Sequence, residues 1–402
     1  MLQEMDNQKA IEWSSKFLMN FTTRYPITLV RGEGVKVWDS AGKEYLDFTS
    51  GISVVSLGHS HPKVVGTIRE QAATLVHVSN YFHIPQQIEL AKLLVEHSFA
   101  DRVYFGNSGA EAIEAAIKLA RRYASENWSS DRYEIISMRD GFHGRTLGAL
   151  SATAQEKYQQ GFGPMLPGFK YVPYNNLSAI EHAIDSRTAA VLVEPIQGEG
   201  GIKVPDGDYL AGLRKLCDAT GTLLIFDEVQ TGMGRTGRLW AYQHWGVEPD
   251  LMTVAKALAN GFPISATLAK EKVALAFTPG SHGTTFGGNP LATAVGCVTL
   301  GTMLEMKLPE RADRMGRYLK ERLERLKTTS PLVKEVRGKG LLIGMECTGP
   351  VANLITQCRE AGLLLLTAGE NVARFAPPLI VDEPIIDRAV GIFEVALAGA
   401  ST

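Results

Sequence analysis

The sequence predicts an α/β protein, with a large domain built on a mostly parallel sheet and a smaller α+β domain at the C-terminal end. Three observations carry that expectation. From about Pro62, short apolar runs alternate with segments of helical periodicity, the pattern of a parallel sheet covered on both faces. Several of those runs end in glycine-rich or polar stretches, as strands do where their carboxyl ends open into a binding crevice. The chain has 402 residues, more than one core usually holds, so two domains are expected.

Up to about Tyr25 the chain reads as helix and loop. Residues 35–39 and 45–48 flank a polar stretch with a glycine, a hairpin signal. Helical periodicity covers roughly residues 64–75, 86–97 and 111–124. Residues 103–105, 134–137, 189–193, 223–226 and 251–254 read as short strands. Met315, Leu319, Leu323 and Leu326 form the apolar stripe of a later helix. Its other face alternates basic and acidic residues, a solvated face rather than a nucleic-acid patch. Apolar runs at 340–344, 362–366 and 372–375 complete the small domain. The expected division is residues 1–61 as an N-terminal segment packing with the small domain, 62–300 as the large domain and 301–402 as the small one.

A formal net charge of -2, with 45% hydrophobic and 21% charged residues, disfavours nucleic acid or an anionic membrane as partner. No apolar run approaches membrane-spanning length, and residues 1–6 show no secretory signal. Cys217, Cys297, Cys347 and Cys358 lack C-x-x-C spacing, which argues against a metal framework and for a reducing compartment. A cytoplasmic protein is expected.

Asp227 and Lys256 are the most informative pair. Asp227 ends the apolar run 222–226, where an acid would point into a crevice. Lys256 is the only charge within residues 251–258. A desolvated lysine loses its proton more easily and becomes a nucleophile. A Schiff-base lysine with an acid for a pyridinium nitrogen is the requirement of pyridoxal phosphate. The bland reading is a snorkelling lysine and a capping aspartate.

Four further stretches carry chemistry. Asn107, Ser108, Gly109, Ala110 and Glu111 lead from a strand into a long helix, whose start is a phosphate site or simply a Ser108/Glu111 capping box. Phe142 and His143 offer a flat surface for a planar ring, and Arg145 a fork for a carboxylate. Glu194 and Glu199 flank a glycine loop and are expected to pair with arginines rather than act as acid and base. Thr284 and Thr285 lie in a glycine-rich turn suited to a second phosphate contact. His59 and His61 read as a turn into Pro62 rather than a metal site. Residues 232–237 satisfy G-x-G-x-x-G, but Asp227, Glu228, Val229 and Gln230 intervene after the strand, so dinucleotide binding is not expected.

In this order the motifs resemble those of the class III, fold-type I pyridoxal-phosphate aminotransferases over nearly the whole chain, with residues 368–375 as a further matching stretch. The resemblance implies a fold-type I architecture, a pyridoxal 5'-phosphate cofactor and a homodimer. It implies that Lys256 carries the cofactor and shuttles the proton, that Asp227 pairs with the ring nitrogen, and that Phe142 stacks on the ring beside His143. Gln230, next to Val229, would lie near the phenolic oxygen. Ser108, Gly109 and Ala110 would hold the phosphate, with Thr285 reaching it from the partner subunit. Arg145 would bind the substrate α-carboxylate. Arg374 would bind the carboxylate beside the reacting group and Glu199 would mask it when an ω-amine reacts. The implied reaction moves the δ-amino group of N2-acetyl-L-ornithine to 2-oxoglutarate, giving glutamate. 4-Aminobutyrate, ornithine and succinyldiaminopimelate are the alternative donors, and a non-catalytic homologue is the alternative of another class. Ile52 and Val54 stand where ornithine-specific members carry a tyrosine. Thr284 replaces an expected serine and Ile113 an expected asparagine.

Overall fold

Three β-sheets organise the chain in a computed structural model, which describes residues 5–399. The reading of residues 1–6 as free of a secretory signal lies largely outside the described residues. The hairpin foreseen near residue 40 forms from β2 (Lys36–Asp39) and β3 (Glu44–Asp47), extended by β1 (Leu29–Glu33).

Seven strands make the central sheet. They are β4 (Arg102–Gly106), β5 (Glu134–Met138), β6 (Phe169–Val172), β7 (Thr188–Val193), β8 (Leu223–Asp227), β9 (Leu251–Val254) and β10 (Ser265–Ala269). Their spatial order is β4-β10-β9-β8-β7-β5-β6. The pairs from β9 to β6 are parallel, and β10 runs antiparallel to both β9 and β4. Strands β5, β7, β8, β9 and β10 are buried along their whole length, as a sheet covered on both faces requires. The sequence reading omitted β6 and β10. Phe169-Lys170-Tyr171-Val172 places a lysine inside the run, and Ser265-Ala266-Thr267-Leu268-Ala269 is small and half polar. Neither reads as an apolar strand: β6 is a part-exposed edge strand, and β10 is buried throughout despite its small and polar residues.

Five strands remain: β11 (Val333–Lys339), β12 (Leu342–Cys347), β13 (Leu363–Leu364), β14 (Leu366–Thr367) and β15 (Val372–Phe375). β11, β12, β15 and β14 form a third sheet, whereas β13 pairs in parallel with β3. The N-terminal hairpin is thereby tied to the last quarter of the chain. The apolar stripe of the Leu308–Thr329 helix forms as expected, with Leu319, Leu323 and Leu326 buried. The Pro290–Glu305 helix runs across residue 301.

The G-x-G-x-x-G loop has a different use from phosphate binding. Arg235, inside it, is fully buried and donates to the carbonyls of Leu341 and Pro377. Its other nitrogen reaches the hydroxyls of Ser50 and Ser56 at 3.4 Å. Burial pulls this guanidinium down to about 9. Three distant segments are held by one buried cation whose donors are spread over carbonyls and hydroxyls. His59, in the His-Ser-His turn, bonds Asp47 at 2.7 Å, a carboxylate neighbour that the sequence did not reveal. No group of three or more potential metal ligands exists among the described residues. No single described helix is long and apolar enough to cross a membrane.

Candidate active site

Because β4 and β9 are both antiparallel to β10, the carboxyl ends of β4, β5, β7, β8 and β9 open along one edge of the sheet. The loops leaving those ends meet in a cleft of about 280 Å³. Lys256 and Asp227 both line it, as do Ser108, Gly109, Ala110, Phe142, His143, Glu199, Val229 and Gln230. Ten of the predicted site residues therefore come together from five separate loops.

Lys256 lies two residues beyond β9, where the backbone turns left-handed with φ of 45° before the turn Lys256–Ala259. A non-glycine residue held at positive φ is uncommon and carries local strain. Loss of water lowers its amine to about 8, against the upward pull of Glu199 and with the help of Arg374. Such an amine is partly neutral at physiological pH and is competent as a nucleophile or base.

Asp227 ends β8 and is buried. One carboxylate oxygen accepts from the Val229 backbone N–H at 3.0 Å and from the Thr253 hydroxyl at 3.2 Å. The other lies 2.7 Å from Nδ1 of His143, which is itself buried. With the proton on Nδ1, His143 donates to Asp227 and leaves Nε2 without a protein partner.

The Gly109–Asn127 helix starts at the cleft. Ser108 caps it by accepting from the Glu111 N–H at 3.3 Å. The capping box is incomplete, because the Glu111 carboxylate turns instead to the backbone and side-chain amides of Asn107. The Gly109 and Ala110 N–H groups belong to the first turn and have no intrahelical acceptor. A Cβ on Gly109 would come within 2.9 Å of Val229 Cγ1, so glycine keeps the cradle open. This is the geometry of a phosphate site.

Glu199 and Arg374 form a partly buried ion pair between the β7 loop and β15. Gln230 braces it, donating to Glu199 at 3.2 Å and accepting from Arg374 at 3.4 Å. Burial raises the Glu199 carboxyl, but Arg374 and Lys256 outweigh it and hold it below the usual carboxylate range.

Over residues 19–397 the chain matches the sequence pattern of the Aminotransferase class-III family. The chain belongs to that family. It is 51% identical to the acetylornithine aminotransferase of Caldanaerobacter subterraneus over 96% of this chain and 99% of that one. It is 48% identical to the acetylornithine aminotransferase of Methanocaldococcus jannaschii over 97% and 98%. Among solved structures it is similar to the ornithine aminotransferase of Toxoplasma gondii, with a TM-score of 0.96, 35% identity and coverage of 98% and 96%. The acetylornithine aminotransferase of Elizabethkingia anophelis gives a TM-score of 0.89, 37% identity and coverage of 98% and 100%. The architecture is thus that of fold-type I, and the cofactor of this class III aminotransferase is pyridoxal 5'-phosphate. The cleft fits that group, with an open cradle for an anion at Gly109, a buried acid for a ring nitrogen and a desolvated lysine for an aldehyde.

Other predicted residues lie away from the cleft lining. Arg145 is exposed, with its guanidinium 4.0 Å from the Tyr158 ring centre and 5.4 Å from that of Phe142. Thr284 and Thr285 line a separate cavity with His77, Asn80 and Tyr104, although Thr284 also meets Asn107 at 3.3 Å. Val54 faces the cleft, whereas Ile52 lines a different cavity near Tyr25.

The expectation for Glu194 fails. It pairs with no arginine, is fully enclosed beside Asp227, and makes only long contacts, 3.4 Å to Phe142 N and 3.5 Å to Gly198 N. Burial, with Asp227 close by, pushes its carboxyl well above the ordinary range. Sequence reasoning also missed Gly261, Phe262, Pro263 and Ile264, which return the chain past Lys256 into β10. The Gly-Phe-Pro turn was the available signal.

Because an amine with a lowered pKa becomes a free base at lower pH, Lys256 of the cofactor-free protein is expected to react with a small aldehyde increasingly through about pH 8. Borohydride trapping and peptide mapping across pH measure this. A rise only above pH 10, or trapping at another lysine, would contradict the assignment.

Proposed function

We propose that this class III aminotransferase moves the δ-amino group of N2-acetyl-L-ornithine to 2-oxoglutarate, giving N-acetylglutamate 5-semialdehyde and glutamate. The carrying observation is the Glu199–Arg374 pair, in which the arginine is buried and the carboxylate partly so. With Arg374 neutralised, the amine end of the cleft presents no free guanidinium and accepts a terminal amine. The curated relatives at 51% and 48% identity are acetylornithine aminotransferases, which supports the same donor. Ornithine is the second reading, favoured by the Toxoplasma structure. The valine at position 54 facing the cleft, where ornithine-specific members carry a tyrosine in this stretch, weighs against it.

When bound, pyridoxal phosphate supplies the aldehyde that takes up the amino group and the ring that accepts the electron pair of the deprotonated carbon. Lys256 holds the cofactor, then removes and returns the proton at the substrate carbon. Asp227, aligned by His143, Val229 and Thr253, holds a proton at the ring nitrogen. The Gly109 and Ala110 N–H groups, behind the Ser108 cap, would hold the phosphate. Phe142 and Gln230, which line the cleft, would help to hold the ring. Arg145 takes the distant carboxylate of either substrate, the α-carboxylate of acetylornithine or the γ-carboxylate of glutamate. Arg374 takes the α-carboxylate of glutamate once Glu199 leaves it. A buried arginine without its counter-charge is costly, so the pair re-forms whenever glutamate is absent.

A homodimer and a cytoplasmic location belong to the same proposal. Tyr81, Phe82 and Phe286 are 94%, 67% and 60% exposed. An apolar face of that kind marks an interface, and Thr285, turned away from this chain's own cleft, would serve a partner's phosphate. The four cysteines are free, in keeping with a reducing compartment, and cell fractionation tests that placement. An active monomer in light scattering would exclude the dimer.

Single-turnover absorbance with a panel of ω-amino donors tests the reaction. N-acetylornithine is expected to react fastest, and faster turnover of ornithine or 4-aminobutyrate would overturn the substrate assignment. Glu199→Ala is expected to slow the acetylornithine half-reaction by roughly tenfold or more, the loss expected when one partner of a buried charge pair is removed, and to spare or favour the glutamate half. Equal loss in both halves would remove Glu199 as the switch.

A further inference from the structure

The loop that carries Glu199 is fastened to the sheet that carries Arg374 by a residue outside the cleft. Arg337, on β11, donates from Nε to the carbonyl of Gly201 at 2.9 Å. Its Nη1 donates to Glu335 at 2.7 Å and to Glu346 on β12. The guanidinium is therefore oriented by two carboxylates while its remaining edge grips the loop two residues after Glu199. Gly201 has φ of 106°, and a Cβ there would lie 3.3 Å from Arg337 Nη2, so a side chain at this position would be strained and would crowd the bond.

The next residue reinforces the attachment. Ile202 is fully buried with Leu342, Ala368 and Val372 of the third sheet's strands and connecting loop. It sits over Gly344, where any Cβ would approach Ile202 within 3.0 Å. Gly344 is the register partner of Arg374 on β15. The backbone after Glu199 is thus seated on the strand that pairs with the strand of Arg374.

We propose that Arg337 is a positioning residue for the Glu199–Arg374 switch. By holding the Gly201 carbonyl it sets the reach of Glu199 and so the ease with which the pair opens between the two half-reactions. This rests on Glu199 acting as the switch. The effect is mechanical, because the charge of Arg337 is already met by Glu335 and Glu346. Without the anchor the loop gains freedom, the pair is less populated, and Arg374 is unmasked at the wrong time.

The test uses the holoenzyme for kinetics and the cofactor-free protein for dynamics. Arg337→Ala is expected to slow the acetylornithine half-reaction by about tenfold, the usual scale for losing a hydrogen bond to a charged group, with less than about a twofold change in the glutamate half. Amide exchange of Ile202 and Lys203, which donate to Gly198 and Gln197, is expected to accelerate in the cofactor-free protein. Arg337→Lys keeps the charge for Glu346 but lacks the planar fork, and is expected to shift the ratio in the same direction. In a Glu199→Ala background, Arg337→Ala should add nothing to the ratio. Equal loss in both halves, an unchanged ratio in both Arg337 variants, or unaltered exchange would overturn the proposal. A changed ratio in Glu199→Ala with none in Arg337→Ala refutes the anchor alone, whereas an unchanged ratio in Glu199→Ala refutes the switch and the role drawn from it for Arg337.

Discussion

Lys256 sits where loss of water lowers its amine to about 8 although Glu199, Asp227 and Glu194 all pull it upward. Taking an ammonium out of water is costly, and the cost is tolerated only when opposite charges or hydrogen bonds surround the site. Much of the site is an answer to that constraint. Three carboxyl groups lie on the same cleft, and the buried guanidinium of Arg374 forms an ion pair with one of them, Glu199. The strained backbone at Lys256 places the amine among these groups rather than along the sheet.

The acids are held in different ways, which gives them different work. Asp227 receives donors on both oxygens, from a backbone amide, a hydroxyl and an imidazole. Glu194 receives two long backbone contacts and is otherwise desolvated, so its proton is retained to higher pH. A Glu194 carboxyl that keeps its proton avoids placing a further full negative charge in a dry pocket beside another carboxyl. Glu199 belongs to neither class, because its partner Arg374 stands on a separate sheet and Gln230 touches both. The pair joins a loop of the central sheet to a strand of the third sheet, so its geometry depends on how both are placed.

Sequence patterns made the core of the site legible for a physical reason. Buried parallel strands are continuous apolar runs, so the first polar residue after each run marks the crevice, and Asp227, Glu194, Asn107 and Lys256 all stand at such places. The same logic hid β10, whose residues are small and partly polar yet buried throughout, in the sheet between β4 and β9. It also hid the use of the G-x-G-x-x-G loop, since nothing local to Arg235 names Leu341 or Pro377 as its partners.

The chain by itself determined the alternation of strand and helix, the strand ends and the residue types that chemistry requires there, because these depend on neighbours a few positions away. Which of those residues meet was decided only by the fold. Arg374 is 175 residues from Glu199, Thr253 is 26 from Asp227, and Arg337 is 136 from Gly201. Pairings at such separations are set by sheet order and register, which side-chain patterns along a single strand do not encode. The antiparallel β10 aligns the ends of β4 and β9, and the pairing of β12 with β15 puts Gly344 opposite Arg374. The same is true of Glu194, which meets no arginine because the fold places it beside Asp227, with the backbone N–H groups of Phe142 and Gly198 as its hydrogen-bond partners.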